Sequence, residues 1–77
     1  MASDNVVLSP RQTECLRWAS LGKTSKETAL ILGVSERTVN FHLSGAFGKL
    51  RVHSKHAAVV KALEYGLLIH RDEQPVS

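Results

Sequence analysis

The sequence predicts an all-α fold, a four-helix bundle that contains a helix-turn-helix. Three observations lead to this prediction. Helix-capping residues and helix-stopping glycines recur along the chain, apolar residues return at helical spacing, and no stretch alternates apolar and polar residues as a half-buried strand requires. The 77 residues leave room for one small domain. With 43% hydrophobic and 22% charged residues, the composition is typical of a folded protein and not of a disordered one.

The first predicted helix begins after Ser9 and ends near Leu21. Ser9 supplies a capping hydroxyl, Pro10 takes the first helical position, and Gln12 reaches back to complete a capping box. Gly22 then stops the helix, because glycine adopts the left-handed conformation that helix ends favour.

Two further helices follow, joined by a very short turn. The capping box Thr24-Ser25-Lys26-Glu27 opens the second helix, which runs through Leu32 and stops at Gly33. Ser35 caps a longer third helix over about residues 36–51.

Ser54 starts a fourth predicted helix, which ends near Tyr65. We take residues 8–69 as the predicted domain. The flanking residues 1–7 and 70–77 are predicted to be a flexible N-terminal segment and a flexible C-terminal tail.

Positive charge is concentrated in the middle of the chain. The whole sequence has a net charge of +3, whereas residues 23–61 hold seven basic and two acidic residues, which gives +5. A basic centre suits a polyanionic partner such as a nucleic acid, although any basic domain shows the same feature.

The location of the protein is predicted from what the sequence lacks. No apolar run approaches the roughly 18 residues that cross a bilayer, and the chain start lacks the basic and apolar regions of a secretion signal. Cys15 is the single cysteine, so no internal disulfide forms and a reducing cytoplasm is the simplest setting. We therefore expect a cytoplasmic protein without a membrane partner.

The second and third predicted helices have the spacing of a helix-turn-helix. Ala29 is small enough to let the two helices approach closely, Gly33 makes the turn, and Val39 packs back into the angle. In this motif the second helix enters the major groove of DNA. An ordinary helical hairpin shows similar spacing, so that alternative stays open.

The third predicted helix has two different sides at about 100° per residue. Its buried stripe consists of Val39, Leu43, Ala46 and Leu50. Its outer side carries Arg37, Asn40, Phe41, Ser44 and Gly48. Hydrogen-bonding groups with few acids suit a DNA groove better than a salt-bridged solvent surface. Gly45 and Gly48 either permit close approach to a duplex or are tolerated sequence drift.

Several linked motifs resemble the LuxR-type DNA-binding domain. They are LSPRQTE (8–14), GKTSKE (22–27), SERTVNFHL (35–43) and KL (49–50). Trp18 with the segments GKTS and TVNFH is similar, more narrowly, to the quorum-sensing branch of that family. The resemblance spans roughly residues 8–69 and implies the DNA-binding domain of a bacterial transcription regulator. Residues that depart from the usual pattern are Gln12, Thr28, Gly45, Gly48 and Lys55.

The resemblance implies that the outer side of the third helix reads bases, through Asn40, Phe41 and Ser44. Their chemistry fits, because an asparagine amide pairs with adenine, an aromatic ring contacts the thymine methyl, and a hydroxyl bonds several base edges. The alternatives are a solvated asparagine, a partly buried aromatic and a neutral helix serine.

Phosphate contacts need only positive charge and free backbone N–H groups at helix starts. The candidates are Thr24, Ser25, Lys26, Ser35, Arg37, Thr38 and Lys49. Thr24 and Ser35 are also predicted caps, and Lys26 is alternatively a solvated charge.

The fourth predicted helix offers a surface for pairing two copies of the chain. Val60 beside the small Ala57 can form a self-complementary contact, and the resemblance implies a homodimer through this helix. The predicted dimer interface comprises Ala57, Val60, Lys61 and Glu64. A pair would read two half-sites about one turn apart. An isolated exposed valine is the alternative.

We predict no catalysis, cofactor or metal site. His53 and His56 form only a pair, whereas zinc takes four ligands, or three and a water. No glycine-rich phosphate loop or nucleophile elbow is present. The expected partner is double-stranded DNA, with RNA polymerase as a further candidate.

Two rival functions remain at this point. One is a sigma-factor-like promoter-reading segment, and the other is a protein-interaction module that heterodimerises with full-length regulators. Because the resemblance implies that an effector domain precedes this one, we expect a carboxy-terminal fragment and not a stand-alone regulator.

Overall fold

The computed structural model describes residues 6–68, which form four α-helices joined by short turns. The helices are α1 (Pro10–Ser20), α2 (Ser25–Leu32), α3 (Glu36–Leu50) and α4 (Lys55–Glu64). No strand occurs between residues 6 and 68, so the all-α prediction is confirmed, with helix ends within one residue of those predicted. Of the predicted flexible ends, residues 1–5 and 70–77 lie outside the described residues.

Each helix starts at a hydroxyl that accepts a hydrogen bond from a backbone N–H of its first turn. In α1, Ser9 Oγ accepts from Gln12 N at 3.1 Å, and Ser9 N donates to Gln12 Oε1 at 2.9 Å. The same reciprocal pair joins Thr24 and Glu27 at the start of α2, at 3.0 and 2.9 Å. Both predicted capping boxes are thus present. Single caps start α3 and α4, at Ser35 and Ser54.

The third helix lies at the centre of the domain and packs against the other three. The stripe predicted to face inward is buried throughout, at Val39, Leu43, Ala46 and Leu50. The other elements complete the core with Leu8, Cys15, Leu16, Ala29, Ala58, Ala62 and Leu68. Because this stripe is held inward, the opposite side of α3 is left at the surface.

The turn between α2 and α3 depends on Gly33, whose φ of 72° is the left-handed conformation that glycine adopts most easily. The N–H groups of Gly33 and Val34 both donate to the Ala29 carbonyl, at 2.9 and 3.1 Å. Ala29 and Val39 are both buried. The three residues that predicted a helix-turn-helix therefore form one.

The two glycines of α3 have different surroundings. A Cβ atom on Gly45 would lie 2.6 Å from Gln12 Nε2, whereas a Cβ on Gly48 would meet nothing within 4 Å. A side chain at Gly45 would thus require the capping amide of Gln12 to move. Gly48 lies on the open side of α3. Gln12 and Gly45, which both depart from the usual family pattern, therefore pack against each other.

Thr28, another departure from the usual family pattern, is fully buried in α2, with 1% of its surface exposed. Among residues 6–68, no buried side-chain nitrogen or oxygen lacks a hydrogen-bond partner. Threonine is therefore accommodated in the core at a position where the resemblance leads one to expect isoleucine.

Candidate nucleic-acid interface

The short turn brings the start of α2 against the outer face of α3. Ser25, the first residue of α2, donates a hydrogen bond from Oγ to Oδ1 of Asn40 at 2.6 Å. A predicted phosphate contact and a predicted base-reading residue are therefore in direct contact. The bond occupies one lone pair of the Asn40 carbonyl oxygen and leaves its NH₂ group free to donate.

The outer face of α3 is open to solvent. Asn40, Phe41 and Ser44 are all exposed, and 72% of the Phe41 surface is accessible. The Phe41 and His42 rings lie edge to face, with centroids 5.5 Å apart. An aromatic ring exposed on this face suits contact with an apolar group such as a thymine methyl.

Charge on this face is also favourable to a polyanion. Glu36 is the single acidic residue of α3 and lies at its first position, where the helix dipole stabilises it. Arg37 follows it and is exposed, about 60° around the helix axis from Asn40. The face therefore presents a cation beside neutral hydrogen-bonding groups.

The polar residues at the two helix starts have well-defined partners. Ser35 Oγ accepts from Thr38 N at 3.0 Å and donates to Thr38 Oγ1 at 2.9 Å. The Thr38 hydroxyl is left with its own proton to donate. Thr24 accepts from Glu27 N at the start of α2, and beside it Lys26 is exposed. Both helix starts thus keep donor groups at the surface.

The carboxylate of Glu27, at the start of α2, stays ionised to a lower pH than an ordinary glutamate. Its pKa lies below the usual value, first because the backbone N–H of Thr24 donates to it, with Lys23 and the Thr24 hydroxyl adding to the effect. The capping box is therefore a charged one, whereas the box of α1 uses the neutral Gln12.

Lys49 is not brought together with the other predicted phosphate contacts. It lies nine residues after Asn40, about 180° around the helix axis. Its Nζ donates to the carbonyl oxygen of Val7 at 3.1 Å, which attaches the N-terminal segment to the end of α3. The half-buried Val6 packs against the core next to it. Helical spacing alone was enough to reveal the position of Lys49, but the contact with Val7 was not predictable.

One basic residue without a predicted role lies on the side of Asn40. Arg51 follows the last residue of α3, eleven positions after Asn40 and thus about 20° from it around the axis. Among residues 6–68 its guanidinium makes no ion pair. The sequence did mark the end of α3 as unusual. A glycine follows each of the other three helices within two residues, whereas none follows α3 at that distance.

The predicted dimer residues lie on the outer side of α4. Val60 is exposed over 41% of its surface and Glu64 is exposed, whereas Ala57 and Lys61 are half-buried. The Lys61 ammonium lies 5.9 Å from the centre of the Tyr65 ring. The inward residues of the helix are Ala58, Val59, Ala62 and Leu63.

Other chemistry finds little support within residues 6–68. No three His, Cys, Asp or Glu side chains there are arranged to hold a metal ion. Cys15 is buried, and burial raises the pKa of its thiol, with Glu14 adding to the effect. None of the four helices has the length and apolar character of a membrane span.

The sequence pattern of the luxR family of bacterial regulatory proteins matches residues 6–62. The transcriptional activator protein AnoR of Acinetobacter nosocomialis is 52% identical over 64 residues, which are 83% of this chain and 27% of AnoR. The transcriptional activator protein AhyR of Aeromonas hydrophila is 48% identical over 69 residues, 90% of this chain and 26% of AhyR. The chain thus spans about a quarter of the length of these relatives.

Two further similarities agree with these. The HTH-type quorum sensing-dependent transcriptional regulator RpaR of Rhodopseudomonas palustris is 51% identical over 61 residues, 79% of this chain and 25% of RpaR. Among solved structures, that of the transcription factor GerE superposes with a TM-score of 0.76 at 29% identity. The match covers 80% of this chain and 92% of that one.

Proposed function

This chain belongs to the luxR family of bacterial regulatory proteins, as a LuxR-type helix-turn-helix DNA-binding domain, and we propose that α3 enters the major groove and reads a specific duplex sequence. The family is one of transcriptional regulators and not of enzymes. The observation that carries the proposal is the outer face of α3, which is exposed, holds hydrogen-bonding and apolar groups side by side, and has a single acid at its start.

Three exposed side chains on this face are proposed to contact bases. Asn40 donates from its NH₂ group and accepts at its carbonyl oxygen, the pattern that matches adenine. Phe41 meets a thymine methyl, and Ser44, one turn further along α3, bonds a base edge. Their roles rest on exposure and on the contact between Asn40 and Ser25.

The two helix starts are proposed to hold the DNA backbone. Each helix start offers free backbone N–H groups and the positive end of a helix dipole, and an exposed cation, Lys26 or Arg37, lies within its first turn. The proposed phosphate contacts are Thr24, Ser25, Lys26, Ser35, Arg37 and Thr38. Lys49 is proposed as a separate phosphate contact at the other end of α3, which it would make by exchanging the Val7 carbonyl for a phosphate.

The role of the whole regulator is inferred from its relatives. AnoR and AhyR are named transcriptional activators, and RpaR is named quorum sensing-dependent. We extend these roles to the regulator that carries this domain: a cytoplasmic activator that responds to a quorum signal, pairs through α4 and contacts RNA polymerase. The exposed Val60 on α4 supports the pairing.

Selection of bound sites from a random duplex pool tests the function directly. We expect enrichment of a palindrome with two half-sites about one helical turn apart. Asn40→Ala should weaken binding to that site by about 1–3 kcal/mol and relax preference at one base pair. Lys49→Ala should weaken binding to all sequences alike and lower the salt slope by about 1. No enrichment, together with unmoved α3 amide signals at low salt, would refute the proposal.

A further inference from the structure

The third helix ends at an arginine in a conformation that glycine favours. Arg51 has a φ of 59° and a ψ of 48°, and it is the single non-glycine residue with positive φ among residues 6–68. The other positive-φ positions are Gly22, Gly33 and Gly66. Because a Cβ atom disfavours this conformation, the fold alone would be better served by glycine.

Arg51 lies at the rim of an open cleft on the outer side of α3. The cleft has a volume of about 540 Å³ and is lined by Ser44, Phe47, Gly48, Arg51, Val52 and His53. The space beside Gly48 is open, because a Cβ there would meet nothing within 4 Å. The lining contains a guanidinium and an imidazole but no carboxylate, so its charge suits an anion.

The length of α3 decides which part of a duplex reaches this cleft. At 1.5 Å per residue, Arg51 lies about 16 Å along the axis from Asn40, whereas the major groove is about 12 Å wide. If α3 lies across the groove with Asn40 against a base edge, this length places Arg51 near the sugar–phosphate backbone at the groove's edge. A guanidinium binds a phosphate through two parallel hydrogen bonds.

We propose that Arg51 and the cleft beside Gly48 bind a backbone phosphate at the edge of the major groove, and that arginine occupies this left-handed position for DNA affinity and against stability. The inference rests on the proposed function of α3. It adds an anchor at the C-terminal end of the helix, opposite the helix starts that hold Ser25 and Arg37.

Two substitutions distinguish the effect of the Arg51 charge from the effect of its left-handed backbone conformation. Arg51→Gly removes both the cation and the strain, so it should weaken DNA binding roughly five- to tenfold while raising the melting temperature by roughly 4–8 °C. Arg51→Gln keeps the Cβ atom, so it should weaken binding to a similar extent with little change in melting temperature. In both variants the slope of log Kd against log salt should fall by about 1. The matched control is Arg17→Gln, an exposed arginine of α1 that lines a cleft with Leu67 and Leu68.

The binding measurements use fluorescence anisotropy with a duplex selected by the wild-type domain. The phosphate contact is supported if both Arg51 variants lose DNA affinity and salt slope while Arg17→Gln loses neither. Unchanged binding by both Arg51 variants, or an equal loss in the Arg17 control, overturns it. Either result differs from failure of the proposed function, in which the wild-type domain selects no duplex at all.

Discussion

Ser25 Oγ donates a hydrogen bond to Asn40 Oδ1 across the helix-turn-helix, at 2.6 Å. The bond joins the first residue of α2 to the outer face of α3 and fixes the direction of the Asn40 amide. Because the Ser25 proton is engaged by Asn40, its hydroxyl cannot donate that proton to a phosphate at the same time. Ser25 is therefore placed to orient a base-reading side chain, while its backbone N–H stays available to a phosphate.

A double-mutant cycle tests this positioning. We expect Ser25→Ala to reduce discrimination between bases at the pair that Asn40 reads. Without the hydrogen bond from Ser25, the Asn40 amide is less firmly oriented. In an Asn40→Ala background the same change should have little further effect on discrimination, so the two effects should be non-additive. Competition binding against single-base variants of the selected site measures the discrimination.

Ser25→Thr is the control for this cycle, because it keeps a hydroxyl donor and should restore discrimination. The melting temperature should change little in Ser25→Ala, since the cap of α2 is Thr24. Additive losses in the double variant would show that the two residues act independently.

The glycine pair of α3 provides a test of packing. Glycine to alanine inside a helix ordinarily stabilises by about 1 kcal/mol, and we expect this gain for Gly48→Ala, where the space is open. At Gly45 the new Cβ would displace the Gln12 amide and weaken its bond from Ser9 N. Gly45→Ala should therefore raise the free energy of unfolding by about 1 kcal/mol less than Gly48→Ala does. Urea denaturation of both variants measures the difference.

The Gln12→Ala background checks the cause, because it removes the amide that Gly45 accommodates. There we expect Gly45→Ala to stabilise as much as Gly48→Ala does. Equal gains at the two positions in the wild-type background would mean that Gln12 moves aside without consequence.

The charged capping box of α2 makes part of the stability depend on pH. The pKa of Glu27 is lowered in the fold, chiefly by the hydrogen bond from Thr24 N. Its contribution is therefore present above the usual pKa of a glutamate and is lost as the pH falls through the lowered value. Glu27→Gln keeps a neutral capping box of the kind found in α1, so its unfolding free energy should fall less on acidification.

Comparison of the two proteins isolates Glu27, because the remaining carboxylates titrate in both. The amide signal of Thr24 gives a local measure, and its pH titration should disappear in the variant. A variant that loses stability on acidification as steeply as the wild type would contradict the role of this carboxylate.

How much the sequence predicts depends on whether the physical cause is local. Helix starts were predictable because a cap such as Ser9 acts within three residues, and the buried stripe of α3 followed from helical periodicity. The contact of Lys49 with the Val7 carbonyl joins residues 42 positions apart, and no local pattern specifies it. The fit of Gly45 around Gln12 was unpredictable for the same reason, since it depends on how closely α1 and α3 approach.

Pairing through α4 is tested by a charge at its most exposed apolar residue. Val60→Asp should abolish cooperative binding to a palindrome, because two carboxylates would meet where two valines are proposed to pack. Binding to a single half-site should be unchanged, since Val60 lies on α4 and not on the outer face of α3. The neutral, similarly shaped Val60→Thr is the matched control and should retain most of the cooperativity. Sedimentation on both DNA lengths gives the stoichiometry, and a 2:1 complex of Val60→Asp with the palindrome at wild-type affinity would place the dimer contact elsewhere.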